Sequence, residues 1–372
     1  MNAAPFSRRL EVALVAPTLG ILGGQAVQAD SLLRAWQNDP DVHARLVPVN
    51  PMPPGLLRRA ADIKYVRTVA TQLTYWPLLV RELRHVDVVH VFSASYFSFL
   101  LAPVPAVLVA QHLGKPVVLN YHSGEAPDHL RRSAIARAVL RRVDRNAVPS
   151  RFLHDVFAGF SIPTEVIPNT VDVDRFAFRR RVPLAPHCLS TRNFEGMYNV
   201  ACTLRAFRLI QEQRPDATLT LVGGGSEEAA LRALAAELGS RNVRFVGRVP
   251  PAEIWRYYAE ADIYLQTPNI DNMPISVLEA FASGCAVVAT NVGGLPAILT
   301  HGEHGLLVKD NDHEAVAASV LRLLDDQALA DRLTRAARDS CERYRWQNVR
   351  ASWLALYRGL AGPTGIPDPT PA

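Results

Sequence analysis

The sequence contains little cysteine, and its cysteines are not arranged to bind a metal or to form a disulfide framework. Only 4 of the 372 residues are cysteine, and none belongs to a CxxC pair or has a histidine at metal-ligand spacing. A chain of this length rarely depends on disulfides for its stability. We therefore expect a reduced, cytoplasmic protein without a structural metal site.

Aromatic residues are also scarce, at 8% of the chain, and they are not interleaved with the basic residues. Residues 1–180 contain 21 Lys and Arg against 14 Asp and Glu, whereas residues 181–372 contain 19 against 21. Nucleic-acid modules combine basic and aromatic side chains, so no nucleic-acid partner is predicted. Anionic lipid or a phosphorylated substrate is the partner that the basic first half favours.

Uninterrupted apolar runs that could cross a membrane are missing as well. Residues 91–110 carry no charge, but Pro103 and Pro105 interrupt them, so a strand, a buried helix and a second strand are predicted there.

Near the start of the chain, residues 8–29 imitate a secretory signal. Glu11 and Pro17 break its apolar part, and a buried strand, a glycine turn and a helix are the favoured interpretation.

What the sequence does contain is a sustained alternation of strands and helices, which is typical of parallel α/β sheets. The chain is long enough for two domains, each with its own core. The predicted strands are VALVAP, ARLVPV, DVVHVFS, PVVLNYH and EVIPN, followed by HCLS, TLTLVG, VRFVG, DIYLQ, AVVAT and GLLV. The predicted fold class is α/β, with two doubly wound, Rossmann-like domains that face a cleft.

The domain limits are predicted from breaks in this alternation. Residues 1–180 and 181–345 are expected to form the two domains, with a linker at 176–186, where Arg and Pro interrupt both periodicities. A final helix is expected at 346–361. The Pro-rich and Gly-rich tail, residues 362–372, is expected to be disordered.

Two glycine turns could face a polar ligand. Gly23 and Gly24 precede the first helix, where bare backbone N–H groups can bind a phosphate, although a tight turn explains them equally well. Residues 223–225 repeat this arrangement. Glu227 and Glu228 then start the next helix and disfavour an anion there, so a simple turn is the better interpretation.

The segment NIDNMPISVLEAFASG, residues 269–284, has the clearest chemical pattern. Asp271 lies in a loop after a strand, and Glu279 lies one turn inside an apolar helix that begins near Ser276. An unpartnered Glu in such a helix would be costly to bury. Two carboxylates at one loop can accept hydrogen bonds from vicinal hydroxyls, so a sugar is the expected ligand. The alternative makes Asp271 a turn former and Glu279 a surface residue.

Two Asp-x-Asp pairs could suggest a divalent metal site. Asp172 and Asp174 form one pair, and Asp310 and Asp312 form the other. Both are better explained as turns, and no metal is predicted.

Residues 269–299 resemble the donor-site segment of the family 4 retaining glycosyltransferases, which have the GT-B fold and use nucleotide-sugar donors. The resemblance covers most of the chain, with fragments in the same order: NYHSG, VPSRFLHDVF, VIPNTVD, LTLVGGGSEE, VRFVGRV and WQNVRASWLALY. It implies an acceptor-binding first domain, a donor-binding second domain, and a last helix that crosses back onto the first.

The resemblance also implies roles for matching residues. Asp271, where the family usually has Glu, would meet the donor sugar hydroxyls, and Glu279 would bind the ribose. Arg192 would pair with the donor diphosphate, and His122 would lie beside the reacting sugar. The expected catalytic residues are therefore His122, Arg192 and Asp271. Further donor contacts are expected from Gly23, Gly24, Gly247, Arg248, Asn272, Met273, Pro274, Ile275 and Ser276.

One position departs from the family pattern. The family commonly has Lys five residues after its Arg, and Met197 stands there in this chain. A missing cation removes a charge-assisted hydrogen bond from the leaving diphosphate, which can cost several kcal/mol of transition-state stabilisation. The departure leaves open a weak enzyme or an unusual donor.

The sequence thus predicts a retaining glycosyltransferase that moves a sugar from a nucleotide-diphosphate sugar to a lipid-linked or saccharide acceptor, as in polysaccharide biosynthesis. Arg192 and backbone N–H groups would stabilise the departing phosphate, so no metal or other cofactor is expected. A catalytically weak sugar-nucleotide-binding module and a nucleotide-sugar epimerase of the same fold remain as alternatives.

A basic segment predicts where the protein meets a membrane. Residues 131–145 contain six arginines, of which Arg137, Arg141 and Arg145 would share one helical stripe. Such a stripe suits anionic lipid heads, at about 1 kcal/mol per basic residue. Peripheral attachment at the inner face of the plasma membrane is expected, with a merely solvated helix face as the alternative.

Overall fold

The structure is a computed structural model, and it describes residues 8–20, 23–52 and 64–362, without the side chains of 64–66. The chain divides into two compact units. The first comprises Met1–Val148, His154–Ile167 and Arg350–Ala372, and the second comprises Pro149–Leu153 and Pro168–Val349. Apart from Gly362, the tail predicted to be disordered lies outside the described residues.

The first unit is built on a parallel sheet of six strands in the order β2-β1-β3-β4-β5-β6. Its strands are β1 (Leu10–Ala16), β2 (Val42–Pro48), β3 (Val88–Ser93), β4 (Val117–Tyr121), β5 (Arg145–Val148) and β6 (Glu165–Val166). Its helices are α1 (Gly24–Ala35), α2 (Lys64–Leu83), α3 (Tyr96–Leu101), α4 (Pro103–His112), α5 (Ala126–Arg132), α6 (Ala134–Arg142) and α7 (Arg151–Ala158), the last of which starts in the second unit.

The uncharged run at residues 91–110 forms the end of β3 and then two helices. Pro103 occupies the first position of α4, where the missing N–H costs nothing because the first turn has no intrahelical acceptor. Pro103 and Pro105 are both buried. In the part of the chain that the structure describes, no helix is both long enough and apolar enough to span a bilayer.

The second unit is built on another parallel sheet of six strands, in the order β12-β11-β10-β7-β8-β9. Its strands are β7 (His187–Ser190), β8 (Thr218–Val222), β9 (Val243–Gly247), β10 (Ile263–Gln266), β11 (Ala286–Thr290) and β12 (Leu306–Val308). Its helices are α8 (Val200–Gln213), α9 (Glu228–Glu237), α10 (Trp255–Glu260), α11 (Ile275–Ser283), α12 (Leu295–Ile298), α13 (His313–Asp325) and α14 (Gln327–Ser340). Two 3₁₀ turns, Gly196–Tyr198 and Cys341–Tyr344, complete it.

Helices cover both faces of each sheet, which explains the almost continuously apolar strands. Every residue of β3, β4 and β11 is buried. The four cysteines are buried free thiols, as expected for a reduced protein. The predicted α/β architecture with two doubly wound sheets is confirmed.

The last helix, α15 (Trp346–Ala361), begins in the second unit and belongs to the first from Arg350 onward. Arg350 contacts Asp39 at 2.6 Å and Asp41 at 2.6 Å, and Asp39 is buried. Burial raises the pKa of Asp39, but the hydrogen bond and charge of Arg350 outweigh it and hold that pKa below its ordinary value. These ion pairs fix the end of the chain on the first sheet.

Two expectations about local structure were wrong. The predicted linker at 176–186 lies inside the second unit, where buried Arg181 donates to the carbonyls of Tyr258 and Ala261 at 2.8 and 2.7 Å. The arginine stripe also fails, because α6 ends at Arg142 and Arg145 opens strand β5. That short strand was not predicted, since an arginine run with helical spacing precedes it.

Candidate functional site

The candidate site lies where the second sheet changes its winding direction. Strands β7 and β10 are neighbours, with Cys188 opposite Ile263, and the sheet grows outward from them in both directions. Open α/β sheets bind ligands beyond the carboxyl ends of strands at such a switch point. Arg192 follows β7 and Asp271 follows β10, so the topology brings these two predicted residues together.

Arg192 and Asp271 form a largely buried ion pair. Nη2 of Arg192 lies 2.8 Å from Oδ2 of Asp271, and the two side chains are 12% and 13% exposed. Nη1 of Arg192 makes a longer hydrogen bond of 3.4 Å to the hydroxyl of Ser276. Burial alone would lower the pKa of Arg192, but the charge of Asp271 outweighs it, and the pKa is raised.

A hydrogen-bonded network fixes the carboxylate of this pair. Gln266 donates to Oδ2 of Asp271 at 2.8 Å, and the backbone N–H of Asn272 donates to Oδ1 at 2.9 Å. Tyr264 in turn donates to the side-chain oxygen of Gln266 at 3.0 Å. The Asp271 carboxylate is therefore held in one orientation before any ligand binds.

The flat face of the Arg192 guanidinium packs against an aromatic ring. Its central carbon lies 4.0 Å from the centroid of the Tyr198 ring, a cation–π contact. Nε of Arg192 is buried and finds no hydrogen-bond partner among the described residues. A guanidinium fixed in this way at a switch point is suited to bind an anionic oxygen.

Met197 lies in the same 3₁₀ turn as Tyr198, at the position where the family commonly has Lys. The backbone carbonyl of Met197 accepts the N–H of Asn269 at 2.9 Å. This bond ties the loop after β7 to the loop after β10. Met197 thus contributes a backbone contact to the site and no cation.

Glycines let the backbones of these loops approach each other closely. A Cβ on Gly223 would lie 2.0 Å from the carbonyl oxygen of Arg192, and one on Gly293, whose φ is +54°, would lie 1.9 Å from that of Asp271. Any other residue at these positions would displace the loop that carries the charged side chain. Residues 223–225 were expected to form only a turn, but Gly223 also lets this turn pass close to the backbone of Arg192.

Two segments that belong to neither strand support the loop from Asp271 to α11. The hydroxyl of Ser150 donates to the side-chain oxygen of Asn272, and the side chain of Asn169 donates to the carbonyl of Met273 at 3.0 Å. Pro274 caps α11 in an extended conformation, so Ile275 and Ser276 lie in the first helical turn. Their backbone N–H groups stand at the positive end of the helix.

Glu279 lies one turn further along α11 and is only partly exposed. Burial raises the pKa of Glu279 to about 7, although a hydrogen bond with Tyr258 and the charge of Arg175 oppose the increase. The hydroxyl of Tyr258 also donates to the carbonyl of Ser276 at 3.1 Å. Glu279 is therefore joined to the Arg192 region through this tyrosine.

Gly247 and Arg248 follow the edge strand of the same sheet. The carbonyl of Gly247 accepts the N–H of Gly223 at 2.9 Å. Arg248 is exposed and lies over Gly224, whose hypothetical Cβ would come within 3.2 Å of its Cγ. Arg248 is thus a solvent-facing cation above the glycine turn.

The remaining predicted residues belong to the first unit. His122 follows β4, with one ring face stacked on Phe92 at 5.3 Å, and burial lowers its pKa to about 4. Gly23 is the N-cap of α1 in an extended conformation. Among the described residues, no heavy atom other than the chain neighbours and the backbone of α1 itself lies within 4 Å of the Cβ that Gly23 or Gly24 would carry.

Within the described ranges, no three His, Cys, Asp or Glu side chains are close enough together to hold a metal ion. The predicted residues of the second unit converge around Arg192. Sequence reasoning missed several members of the site: Ser150, Asn169, Tyr198, Gln266, Tyr258 and Gly293. Ser150 and Asn169 stand in fragments that carried the family resemblance, VPSRF and VIPN, which is the one signal that pointed to them.

Two family models match the chain, "Glycosyltransferase Family 4" over residues 8–175 and "Glycosyl transferases group 1" over residues 184–340. The chain belongs to glycosyltransferase family 4. This glycosyltransferase is 27% identical over 326 residues to the phosphatidyl-myo-inositol mannosyltransferase of Mycobacterium tuberculosis, covering 82% of this chain and 83% of that protein. Over 179 residues it is 37% identical to the D-inositol 3-phosphate glycosyltransferase of Corynebacterium urealyticum, covering 45% and 41%.

Solved structures of low sequence identity share the fold of the glycosyltransferase. Anabaena HepE, in complex with UDP, aligns with a TM-score of 0.73 at 16% identity over 93% of this chain and 99% of that chain. The sucrose-phosphate synthase of Thermosynechococcus elongatus aligns with a TM-score of 0.73 at 21% identity, over 95% and 99%. The fold is therefore GT-B, as predicted.

The raised pKa of Glu279 predicts a stability that falls as pH rises. The folded state favours the neutral acid, so this contribution is complete below pH 4.5, the ordinary pKa, and is lost as pH rises through about 7. Glu279→Gln should therefore be more stable than the wild type at pH 8.5, by about 2 to 3 kcal/mol or several degrees in Tm, and equal to it near pH 4.5.

Thermal unfolding of both proteins across this pH range measures the difference. Glu260→Gln is the control, because Glu260 is exposed and should give no such trend. A Glu279→Gln effect of the same size at pH 4.5 and 8.5 would show that Glu279 is not a buried acid.

Proposed function

We propose that this protein transfers a sugar from a nucleotide-diphosphate sugar to an acceptor hydroxyl, with retention of anomeric configuration. The observation that carries the proposal is the buried Arg192–Asp271 pair at the switch point of the second sheet. It combines a cation for the leaving diphosphate with a carboxylate for sugar hydroxyls. The second unit would bind the donor and the first unit the acceptor.

The proposed donor contacts follow from the donors and acceptors that the loops offer. Arg192 and the first-turn N–H groups of α11 bind the diphosphate. Asp271 accepts hydrogen bonds from the sugar, and Glu279 accepts them from the ribose. Arg248, Gly247 and the turns at Gly23 and Gly24 are further proposed contacts.

The proposed chemistry needs a stabilised leaving group. The bond between the anomeric carbon and the diphosphate oxygen breaks, the acceptor oxygen forms the new bond on the same face, and the acceptor proton passes to the departing diphosphate. Arg192 and backbone N–H groups stabilise the charge that develops, an effect of about 3 to 4 kcal/mol for one well-placed donor. His122 lies beside the reacting sugar as a neutral imidazole. This scheme assigns no step to a metal.

Relatives and neighbours support the substrate classes. HepE structures are described as complexes with UDP and with UDP-glucose, which supports a nucleotide-sugar donor. The similar proteins named phosphatidyl-myo-inositol mannosyltransferase and D-inositol 3-phosphate glycosyltransferase support a lipid-linked or phosphorylated polyol acceptor. Met197 favours one alternative, a module that binds the donor and turns it over weakly.

The transfer proposal is tested with UDP-, GDP- and ADP-sugars and a panel of lipid-linked and saccharide acceptors. The wild type should release nucleoside diphosphate, and NMR of the product should show the donor's anomeric configuration. Arg192→Ala should lower kcat by about 10²- to 10³-fold. The control is Arg244→Ala, which removes an exposed arginine of the same sheet. Donor binding without turnover of any acceptor would instead favour the binding module.

We also propose that the protein attaches to the inner face of the plasma membrane, but through α2 and α3 more than through the arginine segment. Arg131 and Arg132 contact Asp128 at 2.7 and 2.9 Å, Arg141 donates to the carbonyl of Phe160 at 2.9 Å, and Arg145 pairs with Glu165 at 3.4 Å. Arginines that already have partners offer less to lipid phosphates.

The outer face of α2 is better suited to an anionic bilayer. Val69, Leu73 and Trp76, at helical spacing, are 60%, 65% and 41% exposed, and Phe97 of α3 is 66% exposed. At the end of α2, the side chains that line a surface cleft combine apolar and basic groups: Trp76, Pro77, Val80, Arg81, Arg84 and His85. An apolar stripe with adjacent cations is the pattern of interfacial helices.

Flotation with vesicles distinguishes the two surfaces. Leu73→Ser/Trp76→Ser should lose binding to phosphatidylglycerol vesicles, whereas Arg141→Ser/Arg142→Ser should lose little. Phosphatidylcholine vesicles should retain much less of the wild type, because the cations lack a counter-charge there. Equal, weak retention on both vesicle types would contradict membrane attachment. Loss only in the arginine variant would place the contact on α6.

A further inference from the structure

Four aromatic rings form a continuous column through the first unit, from the last helix to His122. Trp353 of α15 lies 4.7 Å from the His90 ring of β3, measured between centroids. The His90 ring lies 4.9 Å from Phe92, with planes at 4°, and Phe92 lies 5.3 Å from His122, with planes at 13°. The last two stacks are close to parallel.

The middle of the column cannot rotate. Nδ1 of His90 lies 2.7 Å from the hydroxyl of Tyr357 on α15, and Nε2 lies 3.1 Å from the side-chain nitrogen of Asn120 on β4. The ring is fully buried. Burial lowers the pKa of His90 to about 3, so the column carries no charge at neutral pH. His90 and Phe92 project from the same face of β3, because side chains alternate along a strand.

His122 is the ring at the far end of the column, just beyond strand β4. It follows the last residue of β4, whose final register pair is Tyr121 opposite Ser93. The imidazole could adopt several rotamers at a strand end, and the parallel Phe92 ring selects those in which the two planes stack. A branched aliphatic side chain could fill the same volume but would remove the ring-on-ring contact that aligns the two planes.

We infer that Phe92 is a positioning residue: its ring sets the plane of His122, and α15 holds Phe92 in place through Trp353, Tyr357 and His90. The inference rests on the proposed function, in which His122 contacts the reacting sugar. It gives the last helix a role beyond stabilising the fold. It also predicts that a change far from the sugar, at Trp353, affects the reaction through the column.

The test compares Phe92→Leu and Phe92→Tyr with Phe99→Leu. Phe99 is a fully buried phenylalanine of the same unit, and it packs on His129 instead of the column. Phe92→Leu should lower kcat by about ten- to a hundredfold, because a misplaced reacting group costs rates of that order. Donor affinity should not change, because the charged residues that we propose as donor contacts all lie in the second unit. Phe92→Tyr should restore kcat, and Phe99→Leu should leave it unchanged.

NMR of the histidine rings supplies a readout that does not need turnover. In the wild type and in Phe92→Tyr, His122 should be neutral with one ordered ring and a pKa near 4. In Phe92→Leu, water reaches the ring, and its pKa should rise toward the ordinary 6.5. His90 is the other titratable ring of the column. Because its pKa is so low, it is neutral in the wild type and in both Phe92 variants.

The outcomes separate this inference from the proposed function. An inactive wild type contradicts the proposed function, and the NMR comparison then still decides whether Phe92 orders His122. An active wild type in which Phe92→Leu matches Phe99→Leu in kcat and in His122 pKa overturns the inference. If Phe92→Leu does not fold, Trp353→Phe and Trp353→Leu replace it, with the phenylalanine variant expected to retain kcat and the leucine variant to lose it.

Discussion

The buried ion pair between Arg192 and Asp271 is the interaction on which the arrangement of the second unit depends. Each side chain follows one of the two strands that flank the switch point, so the pair also joins the two loops that carry it. Removing one partner would leave a largely buried charge unpaired, at a cost of about 3 to 5 kcal/mol. The surrounding groups hold these two charged side chains and their loops in place. They are Gln266, Tyr198 and the glycines at 223 and 293.

Under the proposed function, the ion pair makes the donor diphosphate and the donor sugar depend on each other for binding. In the unliganded protein Asp271 neutralises Arg192, and a diphosphate must compete with that carboxylate. The donor sugar offers compensation, because its hydroxyls can donate to Asp271 as the phosphate accepts from Arg192. Recognition of phosphate and of sugar would then be coupled through one pair of side chains, so a bare diphosphate gains less than the complete donor.

Much of this architecture could be predicted from the sequence. The alternation of short apolar strands with helices determined the fold class, because parallel strands buried on both faces must be continuously apolar, as β3 and β11 are. Asp271 and Glu279 were found because carboxylates are unusual beside an apolar helix. Tyr198 and Gln266 could not be found, since a ring under a guanidinium and an amide behind a carboxylate have no local spacing. Strand β5 and the burial of Arg181 were missed because arginine patterns suggested exposed helix and linker, whereas carbonyls distant in sequence bind the guanidinium.

A double-mutant cycle on the ion pair tests the central claim most directly. Donor affinity is measured by calorimetry for the wild type, Arg192→Ala, Asp271→Asn and the double variant, with the exposed Arg244–Glu260 pair as the reference cycle. The account predicts that the Arg192 and Asp271 effects are not additive, with a coupling of about 1 to 3 kcal/mol, against little or none for the exposed pair. Additive effects at Arg192 and Asp271 would contradict it.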